Sequence, residues 1–556
     1  MPPGMPQAQV VIWSLAFLAT PGLLLPVKFV RGNLRNNADP QAIAHALLVF
    51  RLFFITLTIT AIGIVALVIW DGIFPDRRDA RILTPLPVPG RVLIGARLLA
   101  LGALCGIFVV GINAIPTVFY APMIAAFGGA ANQVQGILAY AVANGLAGVF
   151  VFSTLVSLQG LALNLGGKKA ADRVSLLLQV LFVVALLQMI FFMTRVGAML
   201  PTDLNSGWLR AMPSVWFLGL YDVIGGRPAT GAPALALIAL LATTTTVSGA
   251  VLLFVSTHAR LTRRALESRE VQAPGRTATI TLARLTRGIC RHAVTQAVFE
   301  FTLQSLARSR SHRLLMAIYV GGALALVASA IVPVAIREGL VGFATPGIEL
   351  LSAPLVIGFL TLVGMRVAIA IPVEPKANWL FRLGEPFDRA AAIDGVWIAM
   401  LFVGVLPTAF IALVTAGALW GVWPALVHAG ITVLMGCLLV EILMIRLAKI
   451  PFTCTYFPGT SRVGTLWPLY LTGFGTYSYT VAALEAQFFK QPVAVVIFTV
   501  VIGSAIAVLA FRRRRRLAAL PGLLFDEEDP AAIFEGFHLS EGLAARAATR
   551  SATTER

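Results

Sequence analysis

The chain has 556 residues, of which 58% are hydrophobic and only 12% are charged, and its mean hydropathy is +0.87. Soluble domains average about 25% charged residues, so a soluble core could not bury this much apolar side chain. The net charge of +18 would indicate nucleic acid in a soluble protein, but basic residues also collect in the cytoplasmic loops of membrane proteins. Composition therefore predicts an integral membrane protein that has the lipid bilayer, and no nucleic acid, as its partner.

Twelve apolar runs have the length of about 20 residues that crossing a bilayer requires. Because the runs are continuous rather than alternating, they exclude a transmembrane barrel. The predicted fold class is all-α, a polytopic transmembrane helical bundle of about 12 helices in two six-helix halves. The predicted membrane helices cover 10–30, 49–70, 92–120, 133–165, 172–193, 230–256, 314–336, 347–371, 393–418, 424–446, 465–485 and 491–511.

The longest polar interruption separates six predicted helices from the other six. It gives four predicted regions: a first transmembrane half at 1–256, a cytoplasmic arginine-rich linker at 257–313, a second half at 314–511 and a cytoplasmic tail, both basic and acidic, at 512–556. Within the linker, apolar residues at helical spacing predict an amphipathic helix on the inner leaflet, and the alternative is a solvated cytoplasmic helix. These residues are Val294, Ala297, Val298 and Phe301.

The distribution of Lys and Arg predicts the orientation. If the run Arg512–Arg516 is cytoplasmic, most basic residues fall in inner loops, so both termini are predicted to be cytoplasmic in a bacterial inner membrane. The first segment disagrees, because Lys28, Arg31 and Arg35 then lie outside. We expect 10–30 to be a retained segment rather than a cleaved signal, and either a full span or a re-entrant one.

Catalytic motifs are missing from the sequence. The stretch Gly166-Gly167-Lys168-Lys169 lacks the earlier glycine and the following Ser or Thr of a phosphate-binding loop. Neither the metalloprotease nor the serine-hydrolase signature occurs. The four cysteines form no C-x-x-C pair, and the six histidines are scattered. The sequence thus predicts no enzyme, with no catalytic, cofactor-binding or metal-binding residue and no cofactor.

Ionisable residues inside apolar runs are the default functional candidates in a membrane protein. Arg51, Arg366, Asp394 and Glu441 meet this description. The last three lie near predicted cytoplasmic ends, where snorkelling or mutual pairing accounts for them. A proton-coupled carrier needs an acid near the middle of the membrane, and we find no convincing one.

The predicted inner loop Asp71–Arg91 is dense in charge and ends in three prolines. Each proline fixes a backbone angle, which favours a defined shape over a flexible linker. The charged residues of the loop can form ion pairs with each other or bind the complementary surface of a partner protein. The alternative is that the loop is a positive-inside anchor whose prolines only form turns. The candidate contact residues are Phe74, Pro75, Asp76, Arg77, Arg78, Asp79, Arg81, Pro85, Leu86 and Pro87.

This loop, read as F-P-D-R-R-D followed by L-T-P-L-P-V and a new helix, resembles the permease subunits of ABC-type exporters, the type-2 exporter transmembrane domain. Stretches 306–315 and 377–382 add a likeness to a group of large bacterial integral membrane proteins. The resemblance implies that 75–89 is the coupling region for a separate cytoplasmic ATP-binding subunit, and that 293–308 is the elbow helix of the second half. The positional counterpart of the loop in the second half contains Pro375, Trp379, Phe381 and Arg382. Such subunits usually have six helices, so a chain of twelve would be a fused pair.

Three functions are open from the sequence. The first is a permease subunit of an ATP-driven exporter, for an unknown substrate. The second is a secondary, ion-coupled carrier of the major-facilitator kind, although Asp76-Arg77-Arg78-Asp79 lacks the glycines of the loop motif in those carriers. The third is a membrane scaffold that transports nothing.

Overall fold

The structure is a computed structural model. It describes residues 40–74, 87–126, 130–165, 168–196, 209–226, 228, 230–267, 290, 292–373, 389–445, 447, 450–453, 472–489 and 491–519. Throughout these ranges the backbone is helical or forms turns, with no strand, so the all-α fold class is confirmed there.

The helices follow the apolar runs of the sequence. The first part of the chain forms α1 (Pro40–Val68), α2 (Gly90–Ile124), α3 (Gln133–Leu165), α4 (Lys168–Val196), α5 (Pro213–Ile224) and α6 (Ala232–Glu267). The second part forms α7 (Ala293–Arg308), α8 (Arg310–Glu338), α9 (Ile348–Ile369), α10 (Arg389–Met400), α11 (Leu406–Trp420), α12 (Val422–Met444), α13 (Val481–Phe488) and α14 (Pro492–Ala518). A π-helical turn, Leu401–Val405, joins α10 to α11, and a second one, Thr476–Thr480, precedes α13.

Nine helices among the described residues are long and apolar enough to cross a membrane, which is consistent with a multi-pass membrane protein. Over the predicted segment 172–193, the described apolar stretch is the shorter Leu177–Ile190. The part of segment 465–485 that is described is interrupted by the second π turn. Segment 10–30 lies outside the described residues. The total of twelve therefore remains a prediction.

The same packing pattern occurs twice in the bundle. In the first part, α3 is the central helix and packs against α1, α2 and α6, while α1 also packs against α4. In the second part, α12 is central and packs against α9, α11 and α14, while α9 also packs against α13. The largest clusters of buried side chains are likewise separate, one drawn from residues 52–254 and the other from residues 306–517.

Helices α4 and α8 join the two parts of the bundle. Gly321 on α8 permits their close approach, because a Cβ atom there would lie 3.1 Å from Cγ2 of Val184. Small residues bring helix backbones together in this way in membrane proteins. Near the start of α8, Leu314 lines a small apolar cavity together with Val68, the last residue of α1.

With α4 packed against α8, basic residues of both parts lie at the same end of the bundle. Arg97 and Arg260 lie at this end in the first part, and Arg366 and Arg513 lie there in the second. We call it the arginine end and the opposite one the far end. At the far end, the amide of Ala131 donates to the carbonyl of Gly225 over 2.7 Å.

The linker helix, α7, is present, and it packs against the protein mainly through residues other than those predicted to face the inner leaflet. Thr295, Phe299 and Leu306 are buried, while Ala297 and Phe301 are exposed. The reason is that α7 packs across α10: Oγ1 of Thr295 donates to the carbonyl of Ala391 over 2.9 Å. The apolar pattern alone could not reveal this, because the contact uses a polar threonine. Val294 and Val298 still pack, partly buried, against the second core.

Candidate functional site

The first residues of the predicted coupling loop are held firmly at the arginine end. Trp70, fully buried, donates from Nε1 to Oγ of Ser175 on α4 over 2.6 Å. Its carbonyl accepts a hydrogen bond from Nε2 of Gln159 on α3, also over 2.6 Å. Two helices that are distant in sequence thus fix the residue where the chain leaves α1.

The next turn is fixed as well. Arg97 on α2 donates from Nη2 to the carbonyls of Gly72 and Phe74, at 3.2 and 3.4 Å. The ring of Phe74 is buried and stacks on Phe254 of α6 at a centroid distance of 5.2 Å. The loop therefore starts from a rigid base that contacts α2, α3, α4 and α6.

Of the ten loop residues singled out from the sequence, the structure describes two. Phe74 is part of the base, and Pro87 is exposed just before α2. The others lie outside the described residues: Pro75, Asp76, Arg77, Arg78, Asp79, Arg81, Pro85 and Leu86. The same holds for Pro375, Trp379, Phe381 and Arg382 in the second predicted loop.

The start of the second predicted loop is also held by hydrogen bonds. The amide of Phe452 donates to the carbonyl of Ile369 over 2.9 Å, and the amide of Val373 donates to the carbonyl of Phe452 over 3.1 Å. Buried His312 places Nε2 at 3.1 Å from the carbonyl of Ile371. Phe452 has a φ of 61°, a conformation that costs an L-residue energy and that these contacts hold in place. Both predicted loops thus leave the bundle from anchored backbone.

Three of the four intramembrane candidates lie together at the arginine end of the second part. Arg513 on α14 donates from Nε to Oε2 of Glu441 over 3.0 Å and from Nη1 to Oδ1 of Asp394 over 2.8 Å. Arg366 donates from Nε to the carbonyl of Leu443 on α12 over 3.1 Å. The sequence predicted either snorkelling or mutual pairing for Arg366, Asp394 and Glu441, but both acids pair instead with Arg513, a member of the run Arg512–Arg516.

The fourth candidate, Arg51, lies toward the far end of the first part. Its Nη1 bonds to Oδ1 of Asp222 on α5, and its Cζ lies 5.4 Å from the ring centroid of Tyr221. Tyr120 and Tyr140 pack beside this pair in one buried cluster. A guanidinium over an aromatic face and against a carboxylate is a stable arrangement in a dry site.

A third buried ionisable pair was missed from the sequence. Nδ1 of His428 on α12 lies 2.7 Å from Oε1 of Glu485 on α13, and the side chains are 2% and 0% exposed. The other carboxyl oxygen, Oε2 of Glu485, is buried and has no hydrogen-bond partner among the described residues. Both residues sit toward the far end, on neighbouring helices. The sequence separation of 57 residues left no local signal by which to pair them.

Between the two ends, α1, α2 and α3 share a neutral polar cluster. Oγ1 of Thr58 donates to Oδ1 of Asn113 over 3.1 Å, and it lies 3.3 Å from Oδ1 of Asn144. All three side chains are buried. Such hydrogen bonds between helices add stability and fix register in a membrane protein.

Nothing among the described residues forms a metal site, because no group of three or more His, Cys, Asp or Glu side chains comes together there. Cys105, Cys290 and Cys437 are free thiols. Burial, with a smaller contribution from Glu300, raises the pKa of the Cys290 thiol, which makes it less nucleophilic at neutral pH. Cys454 lies outside the described residues.

Comparison of the chain with protein-family models, with curated proteins and with solved structures gave no match.

Proposed function

We propose that this chain is the membrane-embedded permease subunit of an ATP-driven exporter. It would lie in a bacterial inner membrane with both termini and the arginine end in the cytoplasm, and a separate subunit would hydrolyse the ATP. The observation that carries the proposal is the rigid base of the 71–91 loop, formed by Trp70, Phe74 and Arg97. An anchor without a partner would not need its first turn fixed from four helices.

The base gives the loop a way to act on the bundle. A force applied to the loop passes to α2 through Arg97, to α4 through Trp70 and to α6 through Phe74. Nucleotide-driven closure of the partner would then shift these helices as a unit, as in rigid-body switching between two states. If the loop were attached loosely, closure of the partner would move the loop alone and would not shift the helices.

The repeated packing around α3 and α12 supports the expectation of two halves. Each half would contribute one loop at the arginine end, the first after α1 and the second after α9. Two loops would allow two ATP-binding subunits, or two sites of one dimeric subunit, to engage a single chain. The substrate would pass between the halves, where α4 meets α8.

The test is ATP hydrolysis by the complex isolated from native membranes. The tagged full chain should retain an ATPase whose activity disappears with the partner, and the double variant Arg77→Glu/Arg78→Glu should lose that partner. Arg337→Glu, on the far end of α8, is the matched control and should keep it. Full retention of the ATPase by the loop variant, or absence of any ATPase from the wild-type preparation, would contradict the proposal.

One observation favours a second candidate function, an ion-coupled carrier. The buried acid and base of the Glu485–His428 pair are the kind of groups that relay protons in carriers. Uptake or efflux by proteoliposomes under a proton gradient, with no ATP and no second protein, would support the carrier and exclude the exporter subunit.

A further inference from the structure

The three buried ionic contacts found among the described residues differ in one chemical respect. In two of them the cation is a guanidinium, Arg51 with Asp222 and Arg513 with Glu441. Arginine does not lose its proton in proteins, so the cation of these two contacts is permanent. In the third contact the base is an imidazole, which can be neutral. The His428–Glu485 pair is therefore the one of the three that can exist without any charge.

The surroundings of Glu485 favour the uncharged form. Its side chain is 0% exposed, and Oε2 has no donor among the described residues. A buried carboxylate needs hydrogen bonds to both oxygens or a charge partner to offset its desolvation, and otherwise it takes up a proton. Ser478, also buried in the same segment, leaves its Oγ without a partner among the described residues, so it does not supply a donor.

The charged groups nearby do not change this conclusion. On α12 the nearest acid is Glu441, 13 residues and about 20 Å further along the helix axis. On α9, Glu349 is exposed at the first turn, and Arg366 is at the other end of the helix. The remaining titratable or charged groups described on the elements packed around the pair are Cys437, Tyr477, Tyr479 and the arginines of α14 from Arg512 onward.

We propose that His428 and Glu485 form a proton-binding site of the membrane domain. In the packed state Glu485 is a neutral carboxylic acid whose O–H donates to Nδ1 of His428 across the 2.7 Å contact. When the far end opens and water enters between α12 and α13, the proton leaves the carboxyl for water and Glu485 becomes a carboxylate. Opening at this end is then favoured by high pH, because the open state binds one proton fewer.

The His428–Glu485 pair lies where opening of the far end would expose it to water. His428 lies six residues from the start of α12, about 9 Å from its far end. A π-helical turn, Thr476–Thr480, precedes α13, and such turns are frequent at functional sites. The inference goes beyond the exporter proposal and does not depend on it, because proton occupancy is measured on the isolated chain.

The test is the infrared spectrum of the full chain reconstituted in lipid. Near pH 7, exposed carboxyl groups are ionised, since their unperturbed pKa values are about 4. We expect a carboxylic-acid C=O band at this pH that disappears in Glu485→Gln. Glu441→Gln is the matched control: it is equally buried, but its carboxylate faces Arg513, so its removal should leave the band unchanged.

A second variant keeps the proposal testable if Glu485→Gln fails to fold. In His428→Ala, Glu485 loses its hydrogen-bond acceptor, so the band should persist and shift to higher frequency. Monodisperse elution and unchanged circular dichroism establish that each variant is folded. Absence of the band from the wild type, its persistence in Glu485→Gln, or an unshifted band in His428→Ala would each overturn the proposal.

Discussion

Arg513 and Glu441 form a hydrogen-bonded ion pair inside the bundle, with Nε 3.0 Å from Oε2 and side chains that are 4% and 2% exposed. The second carboxylate, Asp394, lies on the other side of the guanidinium and also comes within 3.8 Å of Arg514. Three helices, α10, α12 and α14, are thereby joined at the arginine end. The run Arg512–Arg516 thus has two roles, since one of its members points into the protein.

Removing Arg513 should destabilise the protein. In Arg513→Met the carboxylate of Glu441 remains buried without its cation, at a cost of about 3–5 kcal/mol. Thermal unfolding in detergent should show a lower melting temperature, and Arg513→Met/Glu441→Gln should recover most of the loss. Arg512→Met, an exposed neighbour on the same helix, is the control and should unfold like the wild type. Equal melting temperatures for the two arginine variants would be inconsistent with this pairing.

A smaller loss is expected at the other guanidinium pair. In Asp222→Asn a neutral amide replaces the carboxylate that bonds to Arg51, which should cost about 2 kcal/mol because hydrogen bonds to charged groups contribute that much. Arg51→Lys should also lose stability, since a lysine cannot reproduce both the carboxylate contact and the stacking on Tyr221. The measurement is again thermal unfolding, with Glu349→Gln, an exposed acid, as the control. No change in either variant would show that the contact contributes nothing.

The base of the 71–91 loop should control access to the loop itself. Arg97→Ala removes the donor that holds the carbonyls of Gly72 and Phe74. We expect faster trypsin cleavage after Arg77, Arg78 and Arg81 in proteoliposomes, because local opening becomes easier when a segment loses its hydrogen bonds. Arg260→Ala, which removes a contact to Asn164 at the same end, is the control. Unchanged cleavage rates would indicate that Arg97 does not restrain the loop.

Continuous apolar runs were enough to predict most of the helices. The segment predicted at 133–165 is α3 with the same bounds, and the segments at 92–120, 347–371 and 424–446 agree with α2, α9 and α12 within a few residues. The signal works because a spanning helix must satisfy its backbone internally and present apolar side chains over its whole length. Of the predicted segment 465–485, the structure describes residues 472–485, which are helical with a π turn at Thr476–Thr480.

The ionic contacts could be predicted only in part. Arg51 was singled out, but its partner, Asp222, lies 171 residues away, and no periodicity relates the two. The pairing of His428 with Glu485 was not predicted for the same reason. Arg513 was not singled out, because nothing in the sequence distinguishes it from its neighbours in the run Arg512–Arg516. Each partner is set by which helices pack together, a property of the tertiary structure that one sequence does not encode locally.

The close contact of α4 and α8 gives a further prediction. Gly321→Leu places a side chain where a Cβ alone would already lie 3.1 Å from Val184 and 3.2 Å from Val183. Overpacking of this kind costs about 1–3 kcal/mol, so the melting temperature should fall. Gly503→Leu on α14, where nothing lies within 4 Å of an added Cβ, should have little effect. A comparable loss in both variants would contradict the assigned contact between α4 and α8, because leucine has a higher helix propensity than glycine at both positions.

The most direct test of the account is site-specific photo-crosslinking from position 78 in intact cells. A photoreactive residue in place of Arg78 should crosslink to one soluble protein that contains a phosphate-binding loop, and the isolated adduct should hydrolyse ATP. The same residue in place of Arg337, at the far end, should give no such adduct. Crosslinking from Arg78 only to lipid, or to a protein without ATPase activity, would contradict an exporter subunit driven through the 71–91 loop.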